Sequence, residues 1–370
     1  MKRVIECVTS DLLTDNRVDK TCRTIAQCDY SVLLVGRIKS GSKPLDKRSY
    51  PTKRFRLIFD KSCLFYAEYN LREFFFLLTH KFDIVWANDL DTLLGAWCAS
   101  RIKRKPIIFD SHEHFTQVPE LKENAFARWF WTKLEEHIVP RLKNVLTVSQ
   151  PIADYFKDKY GVSALVVRNA PLFGGVTKTA DRAELLMPQN NPVLIWQGGG
   201  CNVERGLEEL VQAMQWIDAC LYIIGGGDIF SLLQQQSKNL GLEDKIFFVP
   251  RVPYEQMMQY TFNATLGLSL DKPTNGNYAF SLPNKLFEYV HAQLPMLITP
   301  LCEIKPIVQA FKIGTFLSNY NPQEMAQQIN ALLKDEKTLA QQRENCKKAA
   351  HELCWQNEEN KIEKLLSTIK

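Results

Sequence analysis

Short β-branched or apolar runs alternate with helix-length amphipathic stretches along the whole of this 370-residue chain, and that rhythm limits the fold more than any single motif. In the first half the runs are Val4 to Val8, Ser31 to Val35, Phe55 to Phe59, Ile84 to Ala87, Ile107 to Asp110, Val145 to Val148 and Leu165 to Val167. In the second half they are Val193 to Trp196, Cys220 to Ile224, Ile246 to Val249, Ala264 to Ser269, Met296 to Thr299 and Gly314 to Leu317. Helix patterns fit between them at Asp19 to Gln27, Leu93 to Ser100, Phe126 to Ile138, Glu208 to Gln215, Ser231 to Asn239, Leu286 to Ala292 and Gln323 to Lys334, and a last one runs from Trp355 to Ile369. Strands separated by helices pair in parallel, and the helices cover both faces of the sheet. The expected class is therefore α/β.

The length suits two domains of ordinary size. Asn169-Ala170-Pro171-Leu172-Phe173-Gly174-Gly175 reads as the linker, and a polar stretch follows it to Pro192. Two doubly wound, Rossmann-like domains are expected, one over residues 1–170 and one over 171–354, with a terminal helix at about 355–370. Ligands of such sheets bind at the carboxyl ends of the strands, so two domains joined at this linker should face a central cleft.

Composition narrows the setting. The apolar run Phe74 to Leu78 is far too short to span a bilayer, and Met1 to Glu6 has no long apolar core, so neither an anchor nor a secretory signal is expected. The ten cysteines form no CxxC pair, which suits reduced thiols in a cytoplasmic protein. Through Phe173 there are 28 Lys and Arg against 20 acids, or +8; the remainder has 18 against 21, or −3, and the two sum to the chain's +5. Lys43 to Arg56 and Arg101 to Lys105 carry much of this bias. A basic first half suits an anionic partner such as phosphate or a membrane face, while any single run also reads as plain solvated surface.

Several segments carry chemistry. In Ser281-Leu282-Pro283-Asn284-Lys285-Leu286-Phe287-Glu288-Tyr289 a proline sits in the first turn of a helix. The first-turn amides have no partner within the helix and attract an anion, Lys285 adds charge at that end, and Glu288 lies one turn on. A phosphate at the amides and a hydroxyl-rich sugar at the carboxylate describe a nucleotide. Gln197-Gly198-Gly199-Gly200 follows a strand, and Arg205-Gly206 then opens a helix, an order that lets backbone and a guanidinium approach a diphosphate. Gly225-Gly226-Gly227-Asp228 reads as mainly structural. G-x-G-x-x-G is absent at the first strand, where Thr9 to Thr14 stands, and the P-loop pattern is absent too; a dehydrogenase or Walker ATPase is disfavoured. Asp15-Asn16-Arg17-Val18 reads either as a ligand corner or as an Asp cap with a surface Arg. Asp110, His112 and His114 alternate and, in a strand, would share one face, but His80, His137, His291 and His351 lie in unrelated helical contexts and offer no further metal ligands. Asn88-Asp89-Leu90-Asp91 mimics a metal-binding D-x-D, and helix capping is its better account.

In this order, the Asp15 corner, Asp110 to Glu113, Val148-Ser149, Asn169-Ala170-Pro171, Arg205-Gly206 and the Glu288 segment resemble glycosyltransferase family 4 over nearly the whole chain. The resemblance implies the GT-B fold, with the final helix crossing back to the first domain. It implies a retaining, metal-independent glycosyltransferase of hexosyltransferase type, moving a sugar from a nucleotide-diphosphate donor to a glycan or lipid-linked acceptor hydroxyl in polysaccharide or glycoconjugate biosynthesis. The first domain would bind acceptor and the second the nucleotide sugar. His112, Lys285 and Arg205 would be catalytic, Glu288, Asn284, Ser281, Gly198 and Gly199 would bind donor, and Asp15 and Arg17 would bind acceptor. No cofactor, metal or nucleic acid is expected, and peripheral contact with an anionic membrane at its cytoplasmic face is. The family's two glutamates stand eight positions apart; Glu288 matches the second, and Phe280 replaces the first. A nucleotide-sugar epimerase on the same fold and a non-catalytic nucleotide-binding subunit are the alternatives.

Overall fold

A computed structural model describes all residues but 14, 119, 120, 122, 123 and 370. The chain divides into two compact units, Met1–Asn169 with Asn275–Phe280 and Asn357–Lys370, and Ala170–Thr274 with Ser281–Gln356.

The first unit holds strands β1 (Arg3–Cys7), β2 (Ser31–Ile38), β3 (Thr52–Arg56), β4 (Ile84–Asn88), β5 (Ile107–Ser111), β6 (Asn144–Thr147) and β7 (Leu165–Val166) in the order β3-β2-β1-β4-β5-β6-β7, with every pairing parallel. Its helices are α1 (Asn16–Gln27), α2 (Ser62–Thr79), α3 (Leu90–Lys103), α4 (Ala125–Ile138) and α5 (Gln150–Tyr160). The second unit holds β8 (Val193–Gly198), β9 (Cys220–Gly225), β10 (Ile246–Pro250), β11 (Leu266–Ser269), β12 (Met296–Ile298) and β13 (Gly314–Phe316) in the order β10-β9-β8-β11-β12-β13, again all parallel. Helices α6 (Leu207–Ala213), α7 (Phe230–Asn239), α8 (Tyr254–Asn263), α10 (Asn284–His291), α11 (Ile304–Phe311), α12 (Pro322–Lys334) and α13 (Glu336–Glu352) pack around it. The short α9 (Gly276–Ala279) counts with the first unit, and α14 (Trp355–Thr368) begins in the second and continues in the first.

Each expected strand is present, because a parallel strand covered on both faces must be apolar on both and so stands out in sequence. β4 illustrates this: all five of its residues are buried. The third strand lies at Thr52–Arg56 rather than 55–59, since its edge position leaves only Phe55 buried and weakens the pattern. Helix α2 escaped the sequence reading because aromatic residues surround it; Phe75, Leu71 and Leu64 stay exposed while Tyr69 and Leu77 enter the core.

The terminal helix returns to the first unit, as the resemblance implied. Ile362 and Leu366 are each 1% exposed there, the Tyr30 hydroxyl donates to Leu366 O at 3.2 Å, and the Arg168 amide donates to Glu358 at 2.9 Å. In the second unit the two glycine clusters interlock. A Cβ on Gly225 would lie 2.0 Å from Gly198 O, and the Cys201 amide donates to Gly226 O at 2.9 Å. Backbone packs on backbone here, and only glycine permits it.

Candidate functional site

Two clusters of polar residues lie at carboxyl ends of strands, one in each unit.

In the first unit, β4 and β5 end side by side, with Asn88 paired to Asp110 in register. Asp110 is 1% exposed, and its charge is met by Arg17 from the first turn of α1. Arg17 donates Nη2 to Asp110 Oδ1 at 2.7 Å, Nε to Oδ2 at 3.2 Å and Nη1 to Val167 O at 2.7 Å. Burial works against the Asp110 carboxylate, but Arg17 and then His112 outweigh it and hold the group well below the usual range. This corrects the expectation for Arg17. At 4% exposure, with both sides of its guanidinium committed within the protein, it offers no face to an acceptor. Asp15 is the N-cap of α1 and accepts from the Val18 amide at 3.3 Å, which is the capping alternative.

Asp89 stands at the N-cap position of α3, as expected, but its side chain turns elsewhere. It makes no side-chain capping bond to α3. Its backbone sits at φ 60° and ψ 169°, a region that costs a non-glycine residue about 1–3 kcal/mol. That conformation turns its carboxylate to His112. Asp89 Oδ1 accepts from the His112 amide at 2.7 Å, and Oδ2 lies 3.3 Å from His112 Nδ1. His112 Nε2 lies 3.5 Å from Asp110 Oδ2. Burial alone would lower the imidazole pKa, but Asp89 and Asp110 together raise it to about 9, so His112 is an imidazolium at neutral pH. Asp91 accepts from the Thr9 hydroxyl at 2.6 Å rather than capping.

β5 stops at Ser111, so the alternation that would place Asp110, His112 and His114 on one face ends before the histidines. His114 has its own surroundings. It is 6% exposed, its ring lies 4.1 Å from that of Tyr155, and Phe280 stacks on it at 6.5 Å with the planes 10° apart. Burial lowers its pKa to about 4, leaving it neutral. The Phe280 carbonyl accepts from the Ser149 hydroxyl at 3.1 Å, so the residue standing in place of the family's first glutamate is an anchor of residues 275–280 within the first unit.

In the second unit, Pro283 is the N-cap of α10 and Asn284 its first residue, one position later than the sequence suggested. Asn284 is exposed and Ser281 half-buried. Lys285 is not a surface lysine. It is 5% exposed, its ammonium sits 4.1 Å from the Trp196 ring centroid, and Nζ lies 3.9 Å from Asp271 Oδ2 with no hydrogen-bond acceptor among the described residues. Burial lowers its pKa to about 8, although Asp271 supports the charged form. Arg205, placed before α6 by Gly206, donates Nη1 to Asp271 Oδ1 at 2.9 Å. Gly206 has φ 69°, and a Cβ there would meet Leu270 O at 2.6 Å, so only glycine fits.

Glu288 faces the end of β8, where the Gln197 amide donates to Oε2 at 2.6 Å. Gln197 is held in turn by the Thr261 hydroxyl, 2.6 Å from its Oε1. Gly198 closes β8, Gly199 has open space where a Cβ would stand, and Arg251 donates to Gly199 O. The cluster thus gathers Arg205, Lys285, Glu288, Gly198 and Gly199, each expected from sequence. It adds Asp271, Trp196, Gln197 and Arg251, which no spacing marks because they come from the ends of three different strands.

Comparisons with known proteins agree with this architecture. The family described as "Glycosyltransferase Family 4" matches residues 15–170, and "Glycosyl transferases group 1" matches residues 178–352. No curated protein matches the sequence. Among solved structures, sucrose-phosphate synthase from Thermosynechococcus elongatus superposes with a TM-score of 0.81 at 15% identity, covering 99% of this chain and 98% of the other. Anabaena Alr3699/HepE in complex with UDP-glucose gives 0.78 at 17% identity, covering 100% of both chains. WaaG, a glycosyltransferase involved in lipopolysaccharide biosynthesis, gives 0.71 at 12% identity, covering 99% of this chain and 100% of that one. Two parallel-sheet Rossmann-like units, matched family by family along the chain, place this protein among the glycosyltransferase family 4-like enzymes of GT-B fold.

Proposed function

We propose that this enzyme transfers a hexosyl group, with retention of configuration, from a nucleotide-diphosphate sugar to a hydroxyl of a glycan or lipid-linked acceptor. One observation carries the donor half of this reading. In the second unit two cations, Arg205 and Lys285, converge on a single buried carboxylate, Asp271, beside a glycine loop and a helix N-terminus. Two positive charges against one negative leave a local surplus that a diphosphate fills. Glu288, positioned by Gln197, suits a ribose hydroxyl at the far end of the same ligand. The structures of a relative with UDP-glucose favour the same class of donor.

Charge grows on the leaving diphosphate as the sugar departs. Arg205, the charge of Lys285 and the first amides of α10 stabilise it there more than in the ground state. The departing phosphate oxygen takes the acceptor proton on the face where it leaves, so no protein nucleophile is assigned. His112, held as a cation between Asp89 and Asp110, gives the first unit's cluster its charge, and its assignment to the transferred sugar rests on the resemblance.

The first unit is assigned the acceptor. Its excess of positive charge supports an anionic or membrane-borne partner, as does a group of exposed aromatic residues on α4: Phe126, Trp129 and Phe130 are 71%, 56% and 40% exposed, beside exposed Arg128 and Lys133. The contact proposed is peripheral, at the cytoplasmic face; no helix among the described residues is long and apolar enough to cross a membrane.

A thermal-shift screen with UDP, GDP, ADP and dTDP and their sugars tests the donor. A ligand at a hundred times its Kd adds about 2.7 kcal/mol to the native state. A shift with diphosphates that monophosphates do not match supports the reading, and a flat screen overturns it.

A further inference from the structure

We propose that Asp271 is a positioning residue of the donor site: its carboxylate holds the buried Lys285 as a cation beside Arg205, so that the capture of a diphosphate draws on both. The inference rests on the donor reading above and adds to it a residue that binds no ligand itself.

The geometry is specific. Asp271 is 1% exposed, two residues beyond the end of β11, in the second unit's own core. Its main chain is fixed, because the Tyr320 hydroxyl donates to its carbonyl at 3.1 Å and also pairs with Thr299 at 2.8 Å, while the Lys272 amide donates to Glu204 O at 2.9 Å. Its two carboxylate oxygens are divided between partners. Oδ1 takes Arg205 Nη1 at 2.9 Å, and Oδ2 lies 3.9 Å from Lys285 Nζ with no hydrogen-bond donor among the described residues. A buried ammonium and a buried carboxylate oxygen therefore face each other beyond hydrogen-bonding distance, an unfinished pair in a place where such groups are normally satisfied. Arg205 is 22% exposed and so open to a ligand, whereas Lys285 is buried and contributes charge.

The groups around Lys285 define what Asp271 does. From the end of β11 comes Asp271, from the loop after β8 come Arg205 and Cys201, and from α10 itself comes Glu288, with the Trp196 ring beneath. Burial and Arg205 oppose the ammonium, and Asp271 is the foremost group supporting it. Arg205 keeps its charge at any accessible pH, so Lys285 is the member that titrates. The same carboxylate also competes with an incoming phosphate for both cations. These two effects have opposite signs and separate with pH.

The test is Asp271→Asn, which preserves shape and removes the charge. Calorimetry would follow the nucleoside diphosphate that binds wild type most tightly, and its monophosphate, from pH 6 to pH 9.5. In wild type, diphosphate affinity should decline above about pH 8 as Lys285 loses its proton. In Asp271→Asn the decline should begin about one pH unit lower, with affinity down by about tenfold at pH 8.5. At pH 6, where Lys285 is charged in both proteins, the variant should bind diphosphate at least as tightly as wild type, since the competing anion is gone. Monophosphate affinity should match wild type throughout, which also reports an intact fold. A loss equal at every pH, or shared with the monophosphate, would mean that Asp271 is merely structural. An unmoved pH profile would overturn the proposal outright. If wild type itself does not distinguish diphosphate from monophosphate, the donor reading fails, whatever the variant does.

Discussion

Removing the Arg17 side chain should uncouple the first unit's core from its polar cluster, and the structure sets the size of the effect. Arg17→Ala takes away three hydrogen bonds at 2.7, 2.7 and 3.2 Å, two of them to a carboxylate that is 1% exposed. Asp110 would be left with His112, at 3.5 Å, as its nearest cation, and Val167 O would lose its donor. Stripping one partner from a buried ion pair costs about 3–5 kcal/mol, about a fifth or more of the 5–15 kcal/mol that holds a typical domain. Two units need not unfold together, so the measurement should be local: hydrogen exchange at β1, β4 and β5, where opening free energies should fall by that amount. The pH dependence gives a second arm. Asp110 has a depressed folded pKa, so it contributes stability above its unfolded value near 3.9 and loses it as pH falls through the folded value. Without Arg17 the folded value climbs. The variant should therefore lose less stability than wild type as pH falls below the unfolded value, and the gap between the two should narrow once both carboxyls are protonated. The double change Arg17→Met with Asp110→Asn should recover much of the loss, because no unpaired charge remains buried. A drop under about 1 kcal/mol for Arg17→Ala, against the expected 3–5, would show that water or His112 replaces the guanidinium and that Asp110 does not depend on Arg17.

Other outcomes follow from the same geometry. Glu288→Ala should weaken donor binding by about tenfold or more, from a charged hydrogen bond of about 1.5–3 kcal/mol, whereas unchanged nucleotide affinity in calorimetry would remove Glu288 from the site. Burial raises the Glu6 carboxyl to about 8, so its contribution is full below the unfolded value near 4.5 and is lost as pH rises through about 8. Stability of β1 should fall by up to about 1.4 kcal/mol per pH unit across that window, and Glu6→Gln should flatten the dependence in hydrogen exchange. Turnover should survive EDTA, and loss of activity restored by a divalent ion would revive Asp89 and Asp91 as ligands. Sedimentation with anionic vesicles should fall as salt rises, and Trp129→Ala with Phe126→Ala should reduce it without altering donor affinity; equal indifference to anionic and neutral vesicles would favour a soluble acceptor.

The parallel sheets and the glycine turns were legible in the chain itself, whereas the return of the terminal helix was implied by the resemblance. Buried parallel strands must be apolar on both faces, so β1, β4, β8 and β9 announce themselves as runs, and the order of runs and helices leaves few topologies. Glycines that pack backbone against backbone, such as Gly225 on Gly198, are equally visible, because nothing else fits there. The ion pairs were not. Arg17 reads as a surface residue in a helix cap, yet folding carries it to Asp110, 93 positions away. Lys285 reads as a charge added to a helix N-terminus, yet Trp196 and Asp271 enclose it. Asp89 looks like a cap, yet its carboxylate turns to His112, which follows the neighbouring strand β5. Local pattern records what a residue does for its own strand or helix. The partner of a buried charge comes from another strand end, and tertiary structure alone decides which one arrives.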